Sequence, residues 1–231
     1  MPPFSRSKLL QRAKAIDRLL VQRYGAKSQH RHTDPTSELI LTILSQNTND
    51  TNRDHAYENL KHQFPSWASV VAAKPSQIAK AIEIGGLSSV KSKRIKTILA
   101  QIRERSSDYS LSFLEKMNDL AIWEYLMSFV GVGPKTAACV LIFSLGRNVM
   151  PVDTHVHRVG QRLGLIPQSF SAEKAHRWFL DLNLPMNLYQ LHLNMIAHGR
   201  TLCRPTNPKC SECPLKKYCL YYKKSVEQSN S

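Results

Sequence analysis

Leu126-Met127-Ser128-Phe129-Val130-Gly131-Val132-Gly133-Pro134-Lys135-Thr136-Ala137-Ala138 sets two glycines, one apolar residue apart, between two stretches of helical pattern. Residues 121–129 lead in and 134–145 lead out. Glycine reaches backbone angles closed to other residues and carries no side chain to obstruct a ligand. Pro134 suits the first turn of a helix, where its missing N–H costs nothing. The stretch predicts helix, tight hairpin, helix over residues 121–145. The N–H groups opening the second helix then face outward, a ready site for an anion. The chain has 32 Lys and Arg against 17 Asp and Glu, a formal charge of +15 and a pI near 9.8. On so basic a protein the anion is most simply a nucleic-acid phosphate.

A chain of 231 residues can bury a substantial core, as one large domain or two intertwined ones. No apolar run approaches the roughly 20 residues that span a bilayer, and no basic amphipathic stretch stands out, so a membrane is not the expected partner. The opening Met1-Pro2-Pro3-Phe4-Ser5-Arg6-Ser7-Lys8 has no apolar core of signal-peptide length. The expectation is a monomeric intracellular protein, in the cytoplasm or nucleoid if the source is prokaryotic.

Helical spacing dominates the rest. Leu9, Leu10, Ala13, Ile16, Leu19 and Leu20 recur at helical intervals within Ser5–Arg23 and stop at Gly25. A polar, basic loop over 26–34 leads to Pro35, which opens an apolar helix, 38–46. Further helices are predicted at 51–63, 67–73, 75–83 and 88–105, with Gly85-Gly86 as a break and Lys91, Lys93, Arg94 and Lys96 grouped near the start of the last. Beyond the hairpin the pattern gives helices at 153–163, 172–182 and 187–198 and a frayed polar tail, 223–231. No alternating β pattern is sustained. The fold class is all-α.

Four of the five cysteines, Cys203, Cys210, Cys213 and Cys219, fall within 17 residues with the spacing C-x6-C-x2-C-x5-C. In an intracellular chain such a cluster favours metal over disulfides. Four thiolates suit tetrahedral zinc and equally suit a [4Fe–4S] cluster, and spacing alone does not choose. Cys139, in an apolar helix, reads as a small buried hydrophobe.

Eighteen residues after Lys135 comes Asp153, in Pro151-Val152-Asp153-Thr154-His155-Val156-His157-Arg158-Val159. The hairpin with its lysine, this segment, and the cysteines preceded by Ala197-His198-Gly199-Arg200 together resemble the endonuclease III family of helix-hairpin-helix DNA glycosylases, from about residue 35 to residue 220. The resemblance implies a two-lobed helical fold with a central DNA-binding cleft. One lobe would be a six-helix domain over 37–147. The other would join 1–36 to 148–231 and carry an iron–sulfur loop at 203–219. It implies a [4Fe–4S] cluster, held by the four cysteines in a structural role, with zinc as the alternative. It also implies base excision repair: a glycosylase with AP lyase activity acting on double-stranded DNA that contains damaged bases, oxidised pyrimidines by resemblance, or abasic sites.

Within that reading Lys135 and Asp153 are the catalytic pair. A carboxylate beside the breaking glycosidic bond stabilises its oxocarbenium-like transition state, and Asp153 at a helix start also suits an N-cap. Lysine has a pKa near 10.4, so roughly one in 2,500 is neutral at pH 7. Burial and the positive end of a helix would favour the neutral, nucleophilic amine. Gly131, Val132 and Gly133 are expected to contact DNA. By resemblance Gln46 occupies the position that plugs the gap left by a flipped base, and Leu87 the wedge position. Here the chain reads Ser45-Gln46-Asn47-Thr48-Asn49-Asp50 where relatives often read Ser-Ala-Gln-Ala-Thr-Asp, so the register leaves Asn47 as the other candidate for the gap. Arg204 and Lys209, between the first two cluster cysteines, are candidate phosphate contacts or plain surface charge. His155 and His157 make a poor metal site and read as packing or phosphate-contacting residues. His198 is placed to hydrogen-bond near the cluster.

Two alternatives stand beside this reading: a mismatch thymine or uracil glycosylase of the same fold, and a non-catalytic helix-hairpin-helix DNA-binding module. A zinc-stabilised interaction domain is a third.

Overall fold

The computed structural model describes residues 4–31 and 33–229. Among them there is no β-strand, and helices account for nearly all regular structure. The chain divides into two compact units, His30–Arg147 and a second that joins the segment through Gln29 to the chain from Asn148 onward. The sequence reading placed the first border between 36 and 37. The difference has a local cause: Lys27 donates its backbone N–H to the Gln190 side-chain oxygen, whereas Arg31 pairs with Glu115, so the polar loop divides inside itself.

The helices are α1 (Arg6–Tyr24), α2 (Pro35–Leu44), α3 (Asp50–Gln63), α4 (Trp67–Ala72), α5 (Pro75–Ala81), α6 (Ser88–Arg105), α7 (Asp119–Met127), α8 (Pro134–Cys139), α9 (Thr154–Arg162), α10 (Ala172–Leu182), α11 (Leu188–Thr201) and α12 (Leu220–Ser229). Most begin at a side-chain cap that the sequence displays: Asp34, Asn49, Ser66, Asn118, Asp153, Ser171 and Asn187 each accept a backbone N–H of the first turn. The unit over 30–147 holds seven of these helices among its described residues, the number that the helical spacing predicted span by span, against the six that the family resemblance implied. Its core is built from Leu39, Ile40 and Ile43 of α2, Ile95, Ile98 and Leu99 of α6, and Ala137 and Ala138 of α8, all fully buried. Helix α8 runs on into a π turn, Val140–Ser144.

In the other unit α11 packs against both α1 and α9. Leu9, Ala13, Ile16 and Leu20 of α1 join Val156, Phe179, Leu191 and Met195 in one core, with Leu10 and Leu19 at its margin. The tail predicted to fray is instead helical through Ser229; residues 230 and 231 lie outside the described residues. Its start is held because Lys223 donates its N–H to the Cys219 carbonyl and Tyr222 packs on the core.

Candidate active site

The hairpin forms as predicted, with its two glycines in different conformations. Gly131 has φ +75, the left-handed region that favours glycine. Gly133 is extended, at φ −104 and ψ −179, so its backbone needs no glycine. A Cβ at 133 would meet no atom within 4 Å, whereas one at 131 would lie 2.0 Å from Nε of Arg94. Val132 is buried and can offer a ligand only its backbone, while Val130, unremarked in the sequence reading, is 62% exposed. Pro134 takes the first helical position, and no side chain caps α8, leaving its first-turn N–H groups to solvent or an anion. Lys135 follows and is exposed. The burial expected to help its amine is therefore not supplied by the free protein.

Helix α2, which packs against α8, carries a residue that the sequence reading passed over. Glu38 is 4% exposed; one carboxyl oxygen accepts the Thr42 hydroxyl at 3.3 Å and the other has no hydrogen-bond partner. Burial pushes its carboxyl up to about 7, against the pull of the Thr42 bond and of the positive charges on Arg53 and Lys135. A glutamate inside an apolar helix was the available signal.

The 45–50 segment and the Gly85–Leu87 turn are tied together by Lys91, which is 1% exposed. Its Nζ donates to the Leu44 carbonyl at 2.7 Å and to the Gly85 carbonyl at 2.8 Å. Gln46 is engaged at both ends of its amide: Oε1 accepts Arg94 Nη1 at 2.6 Å, and Nε2 donates to the Gly131 carbonyl at 3.3 Å. Asn47 is exposed with φ +54. Leu87 has φ +50 and is 55% exposed, and Ile84 and Val90, also about half exposed, extend its apolar surface.

In the other unit Asp153 caps α9, its Oδ1 accepting the Val156 N–H at 2.7 Å. The preceding Val152 N–H donates to Nε2 of buried His176 at 2.8 Å, and Nδ1 of that ring faces the Ala172 carbonyl at 2.7 Å. A ring that accepts at Nε2 and donates at Nδ1 is neutral, so His176 holds the backbone entering Asp153 in place. His155 and His157 pack locally, against Arg158 and the Phe170 carbonyl.

Cys203, Cys210, Cys213 and Cys219 line one pocket together with His198 and Arg162. Burial pushes the Cys213 thiol up to about 11. Arg162 donates to Cys203 Sγ at 3.3 Å, and His198 Nε2 lies 3.6 Å from Cys213 Sγ, as its place in the sequence suggested. Among the described residues no three His, Cys, Asp or Glu side chains stand close enough to hold one metal ion. Arg204 and Lys209 are both exposed, and Lys209 lies 3.9 Å from Glu212.

An all-helical chain with a glycine hairpin, a lysine at its exit and a C-terminal four-cysteine loop defines a helix-hairpin-helix protein. Residues 40–182 match the family described as HhH-GPD superfamily base excision DNA repair protein. An endonuclease III of Thermotoga maritima is 33% identical over 210 residues, covering 90% of this chain and 92% of that protein. The chain belongs to the HhH-GPD superfamily of base excision DNA repair proteins. A relative in Arabidopsis thaliana is 35% identical over 76% of this chain, which spans 57% of that protein's length. Among solved structures, a non-covalent endonuclease III–DNA complex superposes with a TM-score of 0.76 at 23% identity, covering 94% of this chain and 98% of that one. A thermostable thymine-DNA glycosylase gives 0.75 at 22% identity, over 93% and 98%. Both show the shared fold.

Proposed function

We propose that this chain is a bifunctional base excision repair enzyme, a DNA glycosylase with AP lyase activity acting on damaged duplex DNA inside the cell. The observation that carries the reading is the exposed primary amine of Lys135 at the exit of an uncapped glycine hairpin, in a chain of this family. The hairpin backbone at Gly131, Val132 and Gly133 receives a phosphate. The open space at Gly133 suits that role, since nothing in the protein itself fills it.

In this reading Lys135 Nζ attacks C1′ of the damaged nucleotide as the glycosidic bond breaks, and the base leaves with the bonding pair and a proton. Asp153 stabilises the positive charge developing on the sugar. Ring opening gives an iminium ion. Loss of a C2′ proton then expels the 3′ phosphate by β-elimination, and water releases Lys135. Leu87, with Ile84 and Val90 beside it, wedges the duplex where the base is flipped. Oxidised pyrimidines are the proposed lesion class, with mismatched thymine or uracil as the alternative.

The four cysteines are proposed to hold a [4Fe–4S] cluster: all four line one pocket, in a chain of this family, and four thiolates are the ligand set such a cluster takes, with zinc as the alternative. The cluster would fix the 203–219 loop and supply no chemistry to base removal; Arg204 and Lys209 would then face phosphates. Stoichiometric iron after anaerobic purification is expected, and stoichiometric zinc in a colourless preparation would refute this ligation.

The test of the enzyme reading is borohydride trapping on a duplex with one abasic site. Wild type should give a covalent adduct that Lys135→Ala abolishes. An adduct in both moves the nucleophile to another amine; none in either, despite binding, leaves a monofunctional glycosylase or a binding module. Release of thymine glycol faster than of mismatched thymine supports the lesion class, and the reverse order refutes it.

A further inference from the structure

Three segments of the 30–147 unit meet at the Arg94 guanidinium. From α6, Arg94 donates through Nη1 to Gln46 in the loop between α2 and α3, and Gln46 donates in turn to the Gly131 carbonyl in the hairpin. The third side is a contact: a Cβ at Gly131 would sit 2.0 Å from Arg94 Nε and 2.1 Å from Cζ, so the guanidinium lies directly against the glycine. Gly131 thus answers two demands, its left-handed backbone and the close approach of Arg94. One helical turn earlier on α6, buried Lys91 fixes the end of α2 through the Leu44 carbonyl, two residues before Gln46. The loop is held from both of these points.

We infer that Arg94 is a positioning residue, the strut that couples the DNA-gripping hairpin to the gap-probing loop, with Gln46 as its link and Asn47 as the side chain that enters the duplex. The inference rests on the proposed DNA-repair function and revises the role of Gln46. Both ends of the Gln46 amide are used inside the protein, so turning it into a duplex would break a charge-assisted bond and a backbone bond together. Asn47 is exposed, and its φ of +54 is one that asparagine tolerates. A phosphate seated on the hairpin would then be in fixed register with the residue that occupies the gap.

The experiment uses the full chain and a duplex with a tetrahydrofuran abasic analogue, on which affinity is measured against salt for wild type, Arg94→Met, Arg94→Lys and Gln46→Met. A strut predicts weaker binding by about tenfold in Arg94→Met with the slope of log K against log salt unchanged. A slope shallower by about 0.9 would mean that Arg94 itself meets a phosphate, which overturns the proposal. Arg94→Lys keeps the charge but not the planar fork, so it should also weaken binding; full rescue by lysine overturns the strut. The Arg94→Met and Gln46→Met double variant should be no worse than the poorer single, because both remove one link; losses that simply add would refute the link.

Trapping rates on abasic duplexes with each of the four opposite bases complete the test. Asn47→Ala should level the preference among them, and Gln46→Met should lower all four alike. The opposite pattern would return Gln46 to the gap. If wild type fails to trap at all, the lyase reading falls while the binding measurements still decide the strut.

Discussion

Replacing Glu38 by glutamine isolates the most strained ionisation in the 30–147 unit. The folded protein holds this carboxyl at about 7 against an ordinary 4.5. Between those values the folded state keeps a proton that the unfolded chain releases, so the group's contribution to stability is fully present below about pH 4.5 and is lost as pH rises through 7. The full difference is about 3 kcal/mol, most of it lost by pH 8.5 and less than about 1 kcal/mol of it by pH 5. Glutamine carries no charge at either pH and can still accept the Thr42 hydroxyl. Its amide N–H2 replaces an oxygen that has no partner, at a cost of about 1 kcal/mol. Glu38→Gln should therefore be more stable than wild type by about 2 kcal/mol at pH 8.5, a rise in Tm of about 4–8 °C, and roughly level with it at pH 5. Thermal unfolding followed by circular dichroism at the two pH values checks this. An equal Tm difference at both would refute the reasoning, because only a titrating wild-type side chain makes the comparison depend on pH.

The two hairpin glycines should part company. Gly131→Ala forces an alanine to φ +75 and drives the Arg94 guanidinium off its seat, so both stability and DNA affinity should fall, the former by about 1–2 kcal/mol by chemical denaturation. Gly133→Ala enters open space on extended backbone, so stability should hold within about 0.5 kcal/mol while affinity for an abasic duplex drops. Lys91→Met keeps the apolar stem and strips two buried carbonyls of their donor. A loss of about 2 kcal/mol is expected, with faster amide exchange in residues 45–49 and 85–87; exchange unchanged there would refute the tie.

The helices were legible because their ends are written locally, in a cap such as Asp34 before Pro35 or Asp153 before Thr154. The hairpin was legible for the same reason, as glycines and a proline at fixed offsets. What stayed hidden were charged residues whose partners come from elsewhere in the chain. Lys91, Lys93, Arg94 and Lys96 form one basic group in the sequence, yet they meet different fates. Lys91 is buried on two carbonyls, Arg94 braces Gln46, Lys96 donates to the Ala73 carbonyl, and Lys93 is exposed. Helical periodicity treats a charge as a mark of the solvent face, and it has no access to carbonyls left unpaired forty residues away. Glu38 escaped by the same logic. Val130 and Val132 illustrate a finer limit: both read as apolar, and only the turn's geometry decides which enters the core.

The π turn at Val140–Ser144, where the Leu145 N–H reaches back to the Val140 carbonyl, holds one residue more than an α-helical turn would. Its presence makes this the place where the gene should best tolerate, and so most visibly record, the loss of a single codon. Deleting one residue from 140–144 would restore α-helical hydrogen bonding and leave the chain on either side nearly in phase, because the wider turn spends its extra residue within a single revolution. A relative with a straight helix here would count seventeen residues from its lysine to its aspartate instead of eighteen, and an alignment of such sequences should open its gap inside this turn.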